Sequence, residues 1–285
     1  MSTRQIAKAL AILCFTLTAL PAFSGWMLDA GRAKVVIGLN LGLGSSFWDG
    51  DGQRRSGGCS NNSLPVGYEY GYSYYRTIYA NTSLGSKNCS DKKSVGLSNI
   101  ELGVRGRLDP YRNGSTWEIA LLLPINKNHS AFDSQTGSFG LKAGIGYNFS
   151  DDPYETFLLG GDTSRWAVAM GIKTWQAHIP NELWGNLNYD KRLSSSDWYK
   201  QSGGWSFNAQ LDGKHSFGKV NSAIANPFVV DAHDSYSLLT GTAKLTHALS
   251  DVSYINGGIA LDLAGRNIHS GSSLFIGYNY QWSYK

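Results

Sequence analysis

Over much of the chain, bulky apolar side chains fall at every second position. KVVIGLNLGLG sets Val35, Ile37, Leu39, Leu41 and Leu43 against Gly38, Asn40, Gly42 and Gly44. Period two marks a strand, because successive side chains point to opposite faces. SNIELGVRGRL repeats it, with Ile100, Leu102, Val104 and Leu108 opposite Asn99, Glu101, Arg105 and Arg107. STWEIALLLP sets Trp117, Ile119, Leu121 and Leu123 against Thr116 and Glu118. GSFGLKAGIGYNFS sets Phe139, Leu141, Ala143, Ile145, Tyr147 and Phe149 against Lys142, Asn148 and three glycines. RWAVAMGIK and GGWSFNAQLDGK place Arg165 and Lys173, then Asn208, Gln210, Asp212 and Lys214, opposite apolar rows. The end of the chain, SSLFIGYNYQWSYK, alternates in the same way.

In a water-soluble sandwich the second face of such strands would be rich in Lys and Glu. Here it is glycine, amides and a few mixed charges, which suits an interior. The pattern predicts an all-β fold: a closed antiparallel transmembrane β-barrel, apolar outside toward lipid and polar inside. Closure is required because an open sheet edge in hydrocarbon leaves backbone groups unpaired. Roughly 260 residues at about 20 per strand and connection give about 12 strands, with 10 or 14 as alternatives. Tyr280, Trp282, Tyr284, Trp117 and Trp205 fit the aromatic girdles at the two membrane surfaces. Trp48 to Leu64 is long, polar and rich in Gly and Asn, and is expected as an outer loop. DPYRNGS and SDDPYE have the chemistry of compact turns.

Composition narrows the picture. Forty-two per cent hydrophobic content with 16% charge excludes disorder, and a net charge of +4 gives no footprint for a nucleic-acid partner. Arg4 and Lys8, then ALAILCFTLTAL, then AFS before Gly25, read as a signal peptide over 1–24 cleaved after Ser24, with the barrel over 25–285. Cleavage removes Cys14 and leaves Cys59 and Cys89, an even pair in an oxidising compartment and the expectation of a disulfide. Neither has a neighbour at metal-ligand spacing. The reading is of a bacterial outer-membrane protein with lipid as its surroundings, no metal and no cofactor.

GWMLDAGRAKVVIGLNLGLGSSFWDGDGQRR resembles the start of the XagA-like outer-membrane barrels, with a Trp-x-x-x-x-Gly opening before a strand and an Asp-x-x-Gly loop. EYGYSYYRTIYANTS and GLSNIELGVRGRL are similar to the Glu-Tyr-Gly turn and the Gly-Leu-x-x-x-Glu-Leu-Gly-x-Arg strand of those proteins and of the related MetA-pathway barrels. DTSRW resembles another of their turns. The likeness covers the first two-thirds of the chain. It implies transport or surface attachment: exopolysaccharide and biofilm loci for the former group, passage of aromatic or aliphatic compounds for the latter.

Candidate lumen residues are Asn99, Glu101, Arg105, Arg107, Glu118, Lys142, Arg165, Lys173, Asn186, Asn188, Asp190, Asn208, Gln210 and Asp212. Such charges either tune passage or pair into a network that holds the barrel shut. Trp184 shares a face with Glu182, Asn186, Asn188 and Asp190, and Trp175 shares one with Lys173. An aromatic among amides and carboxylates can stack on a sugar ring, and the alternative is an interfacial Trp at a strand end. His129/Ser130, His215/Ser216 and His269/Ser270 are adjacent in sequence. Within a strand such neighbours point to opposite faces and cannot act as a nucleophile and base, so a lipid-modifying hydrolase is the weakest reading and a non-enzyme is expected. DGDG (Asp49–Gly52) suggests a calcium loop, but Gln-Arg-Arg follows where oxygen ligands belong. The leading expectation is a channel or surface component tied to exopolysaccharide export or biofilm formation. Its rival is an uptake channel for small hydrophobic or aromatic cargo.

Overall fold

A computed structural model describes residues 27–43, 46–57, 60–88, 93–108, 114–125, 139–149, 164–176, 180–194, 203–217 and 235–284. The signal segment, Cys59 and Cys89, His129 and Ser130, SDDPYE and most of DPYRNGS lie outside them.

The described elements are all strands: β1 (Arg32–Gly42), β2 (Ser46–Trp48), β3 (Arg54–Ser56), β4 (Ser60–Ser73), β5 (Arg76–Asn88), β6 (Lys93–Leu97), β7 (Ile100–Arg107) and β8 (Ser115–Leu123), followed by β9 (Gly140–Asn148), β10 (Ser164–Trp175), β11 (Asn181–Ser194), β12 (Trp205–Phe217), β13 (Ser237–Ala248), β14 (Ser253–Arg266), β15 (Ile268–Ser270) and β16 (Ser273–Ser283). β6 and β7 both pair with β5 and form one strand interrupted at Ser98 and Asn99. With that pair counted once, twelve antiparallel strands close into a barrel: β1 pairs with β4 on one side and β16 on the other, and β4 with β5 completes the circle. Closure pairs the edges that hydrocarbon forbids.

Ile37, Leu39, Leu41, Ile119, Ile145, Met170 and Leu183 are exposed on the outside, as the alternation predicts. The start of β1 and the end of β16 meet at one rim, where Arg32 pairs with Ser283, and the tight β4–β5 connection lies at that rim. This rim is the periplasmic one by the usual pattern of short periplasmic turns. Its girdle is aromatic: Tyr70 meets Tyr284 edge-on at 5.7 Å, Trp282 lies 6.3 Å from Tyr68 and 5.7 Å from Tyr280, and Trp166 lies 4.6 Å from Tyr189.

At the opposite, outer rim the expected polar loop is in part structured. β2 and β3 form a hairpin that pairs with β15 into a separate three-stranded sheet, and β4 already begins at Ser60. Ser60 pairs with Asn88 across the β4–β5 ladder, and these are the sequence neighbours of Cys59 and Cys89.

Candidate functional site

The lumen wall follows from register. On one face of the sheet Thr77 pairs with Arg105, Arg105 with Glu118, and Lys142 with Lys173. Continuing round, Lys173 pairs with Glu182, Asn186 with Asp212, Asn188 with Gln210 and Asp190 with Asn208. Arg107 pairs with Thr116 near the periplasmic rim, and Arg165 with Asp190. The strand residues among the candidates therefore share the inner face, and Asn99 joins them at the break between β6 and β7, where it lines the lumen cavity.

Several inner charges bind one another across strands. The Arg105 guanidinium reaches Glu69 on β4 at 3.8 Å and Glu118 on β8 at 3.4 Å. Lys142 Nζ contacts Glu118 Oε1 at 2.6 Å and Glu101 Oε1 at 3.0 Å. The Tyr79 hydroxyl donates to Glu101 Oε1 at 3.0 Å, and Arg105 lies over the Tyr79 ring at 4.9 Å. Arg105–Glu69 reaches over β5 and Lys142–Glu101 over β8, so each ties strands that are not neighbours. A second set joins Lys173 to Glu182 at 3.1 Å, with the Tyr236 hydroxyl on the other Glu182 oxygen at 2.8 Å. Glu69, Tyr79 and Tyr236 were not among the sequence candidates. The first two sit in EYGYSYYRTIYANTS, where period two alone could have placed Glu69 inside.

Trp184 belongs to this wall, as the fourth residue of β11. The interfacial reading is corrected by its direction: Trp184 pairs with Lys214 on one side and Gly171 on the other, on the inner face of β11, so its indole faces the lumen and not the membrane surface. Gly144 and Gly171 leave the space its indole occupies, and a Cβ at either would collide with the ring. Lys142 Nζ lies 5.0 Å from its centroid. Trp175 faces inward at the outer end of β10 and packs against Gly140 in the same way. The bare face of these strands is thus the floor on which large aromatics lie down.

Trp184, Val36, Leu238, Asn99 and Asn186 border a cavity of about 150 Å³. Its ionised lining is four carboxylates (Glu69, Glu101, Glu182, Asp212) and four cations (Arg105, Lys142, Lys173, Lys214), a formal sum of zero. Trp184 Nε1 and Asn186 Oδ1 are buried without hydrogen-bond partners. Two irregularities flank this cavity, the β6–β7 break and a bulge at Leu239/Thr240, and bulges re-aim side chains beside functional sites.

A second cavity, of about 240 Å³, lies toward the periplasm between Lys34, Asn40, Asp190, Asn208, Gln210, Thr242, Lys244, Tyr254, Asn256, Asn279 and Gln281. Among the described residues, Val36 alone borders both. Amides and carboxylates knit locally here and at its margin: Asn208 Nδ2 donates to Asn188 Oδ1 and, at 2.9 Å, to Asp190 Oδ1, while Asn186 Nδ2 and Gln210 Nε2 donate to Asp212 at 2.7 and 2.9 Å.

Above the first cavity, Tyr236, Leu238 and Ile268 form an apolar cluster with Trp48 against it. Trp48 lies on Gly265, which is cross-strand from the inward-facing Leu238. The small sheet thus folds over the inside of the outer mouth.

His215 is exposed on the outer face while Ser216 is fully buried on the inner one, so they diverge as alternation requires. The Asp49 carboxylate is engaged internally: Oδ1 accepts the N–H groups of Asp51 and Gln53 at 3.1 and 2.8 Å, and Oδ2 meets Arg55 at 2.8 Å.

No family model and no curated protein matches the chain. Among solved structures it is similar to the COG4313 outer membrane channel from Pseudomonas putida F1, with a TM-score of 0.65 at 12% identity over 92% of this chain and 98% of that one. It is also similar to the β-domain of the Bordetella autotransporter BrkA, with a TM-score of 0.51 at 13% identity over 89% of this chain and 100% of that one. At such identities the likeness concerns the fold, which is that of a bacterial outer-membrane β-barrel.

Proposed function

We propose that this barrel is an outer-membrane channel for small molecules, in particular single-ring compounds of modest polarity. The observation that carries the reading is the first cavity. Its 150 Å³ is about the volume in which a protein cavity accommodates one benzene, and Trp184 supplies an aromatic wall. Six of its eight charges are paired with opposite sign and Asp212 is held by the amides of Asn186 and Gln210, so an ionic cargo would displace existing pairs and pay desolvation, whereas a neutral one would not. Trp184 Nε1 and Asn186 Oδ1 offer a donor and an acceptor to a hydroxyl on the ring. The resemblance to MetA-pathway barrels points the same way. An exopolysaccharide strand needs an unbroken bore, and two cavities that share Val36 alone among the described residues favour small cargo instead.

The test is the ion current of single barrels in planar bilayers. Benzyl alcohol is expected to interrupt the wild-type current and to do so far less in Trp184→Ala, while maltohexaose leaves both untouched. A current blocked by the oligosaccharide and indifferent to the aromatic alcohol overturns the reading.

A further inference from the structure

We propose that the β2–β3 hairpin is a lid that, paired with β15 on the barrel, shuts the outer mouth in this structure and swings clear as one body to admit cargo. The proposal rests on the channel reading above.

The hairpin is braced from within and pairs with the barrel over a short ladder. The Asp49 side chain closes the hairpin turn through the contacts to Asp51, Gln53 and Arg55, and Arg54 Nε donates to Ser46 Oγ at 3.0 Å. β15 pairs with β2 over only three residues, Ile268 with Trp48 through Ser270 with Ser46. Arg266 Nε donates to the Gly50 carbonyl at 2.7 Å, and the Asn267 N–H to the Asp49 carbonyl at 3.0 Å. Asn267 takes φ +52°, in the left-handed region that Asn tolerates better than most residues, and there turns the chain from β14 into β15. A rigid unit on a short attachment is the form that hinged segments take.

The lid also covers the roof of the cargo cavity, where its Trp48 packs against Tyr236, Leu238 and Ile268. Ile268 is 1% exposed and Leu238 6%, and Leu238 borders both the apolar roof and the cavity beneath it. Tyr236, in the same roof, holds Glu182 by its hydroxyl, and Glu182 holds Lys173. Lifting Trp48 away uncovers Leu238 and removes packing from Tyr236, so lid position and the ionic wall are mechanically joined.

Single-barrel conductance tests this in three forms of the full chain. In the first, Ser46–Ser56 is replaced by a short Gly-Ser link, and folding is checked by the heat-dependent gel mobility of barrels. In the second, Phe47→Cys and His269→Cys are introduced at directly paired positions with Cys59 and Cys89 replaced by Ser. In the third, Tyr236→Phe keeps the roof and removes its catch. The lidless barrel is expected to conduct several-fold more than wild type. The cysteine pair is expected to lose current on oxidation and regain it with dithiothreitol, and Tyr236→Phe to open more often. A folded lidless barrel with wild-type current, or a cysteine pair indifferent to reductant, overturns the lid. If the lid fails while benzyl alcohol still blocks wild type, the channel reading stands; if neither barrel conducts, both fall.

Discussion

The cavity under the lid is walled by four carboxylates and four cations, whereas the periplasmic cavity is walled mainly by amides and hydroxyls with Lys34, Lys244 and Asp190. In the first, long side chains reach over an intervening strand, as Arg105 does to Glu69 and Lys142 to Glu101. In the second, the amides of Asn188 and Asn208 join β11 to β12, which are already neighbours. The difference teaches where the barrel is braced. A bond between adjacent strands adds to a ladder that exists without it, while a bond across two strands fixes the curvature of the wall and the width of the space inside. The cavity assigned to cargo is the braced one.

Arg105→Met should break this contrast most severely. It takes the guanidinium from Glu69 and leaves Glu118 to Lys142 alone, in a buried site where removal of one partner costs about 3–5 kcal/mol. Urea unfolding in micelles, followed by gel mobility, should show that loss, and an unchanged midpoint would mean that the brace contributes nothing. Gly144→Leu should cost less, about 1–3 kcal/mol of overpacking, but should displace Trp184 and abolish the benzyl alcohol response while current persists. Asn256→Leu in the periplasmic cavity should cost only about 1 kcal/mol and leave cargo block as in wild type. A loss equal to that of Arg105→Met would erase the distinction between the cavities.

The smallest effect is expected from pH at the lid. The N–H of Gln53 and the Arg55 guanidinium hold the Asp49 carboxyl below its ordinary value of 3.8. A depressed carboxyl stabilises the closed turn above its unfolded pKa and loses that contribution as pH falls through the depressed value. Conductance should therefore be flat from neutral pH down to about pH 4 and rise only below it. Asp49→Ala should be more conductive throughout, and a wild-type rise near pH 6 would exclude Asp49 as its origin.

Much of the wall was legible because lipid imposes a strict rule: every outward position must be apolar, so β1, β7 to β10, β12 and β16 announce their inner faces by alternation alone. Lys142, Lys173 and Asp212 were placed inside on that basis. β13 was harder to read, since Gly241 and Ala243 opposite Thr240, Thr242 and Lys244 give a shallow contrast. Trp184 looked like a membrane-surface residue because an indole suits both places, and only the glycines of two other strands decide which. The roof was invisible. Trp48 and Ile268 meet from opposite ends of the chain, and Trp48 sits in a stretch whose Gly and Asn content reads as loop.

The sequence by itself determined which side chains turn toward lipid and which toward the lumen, because alternation along a strand is a local property of the backbone. Which inner residues meet was decided only when the barrel closed. Lys142 finds Glu101 and Glu118, and the β2–β3 hairpin finds β15, through the register and curvature of the whole cylinder, and no single strand carries that information.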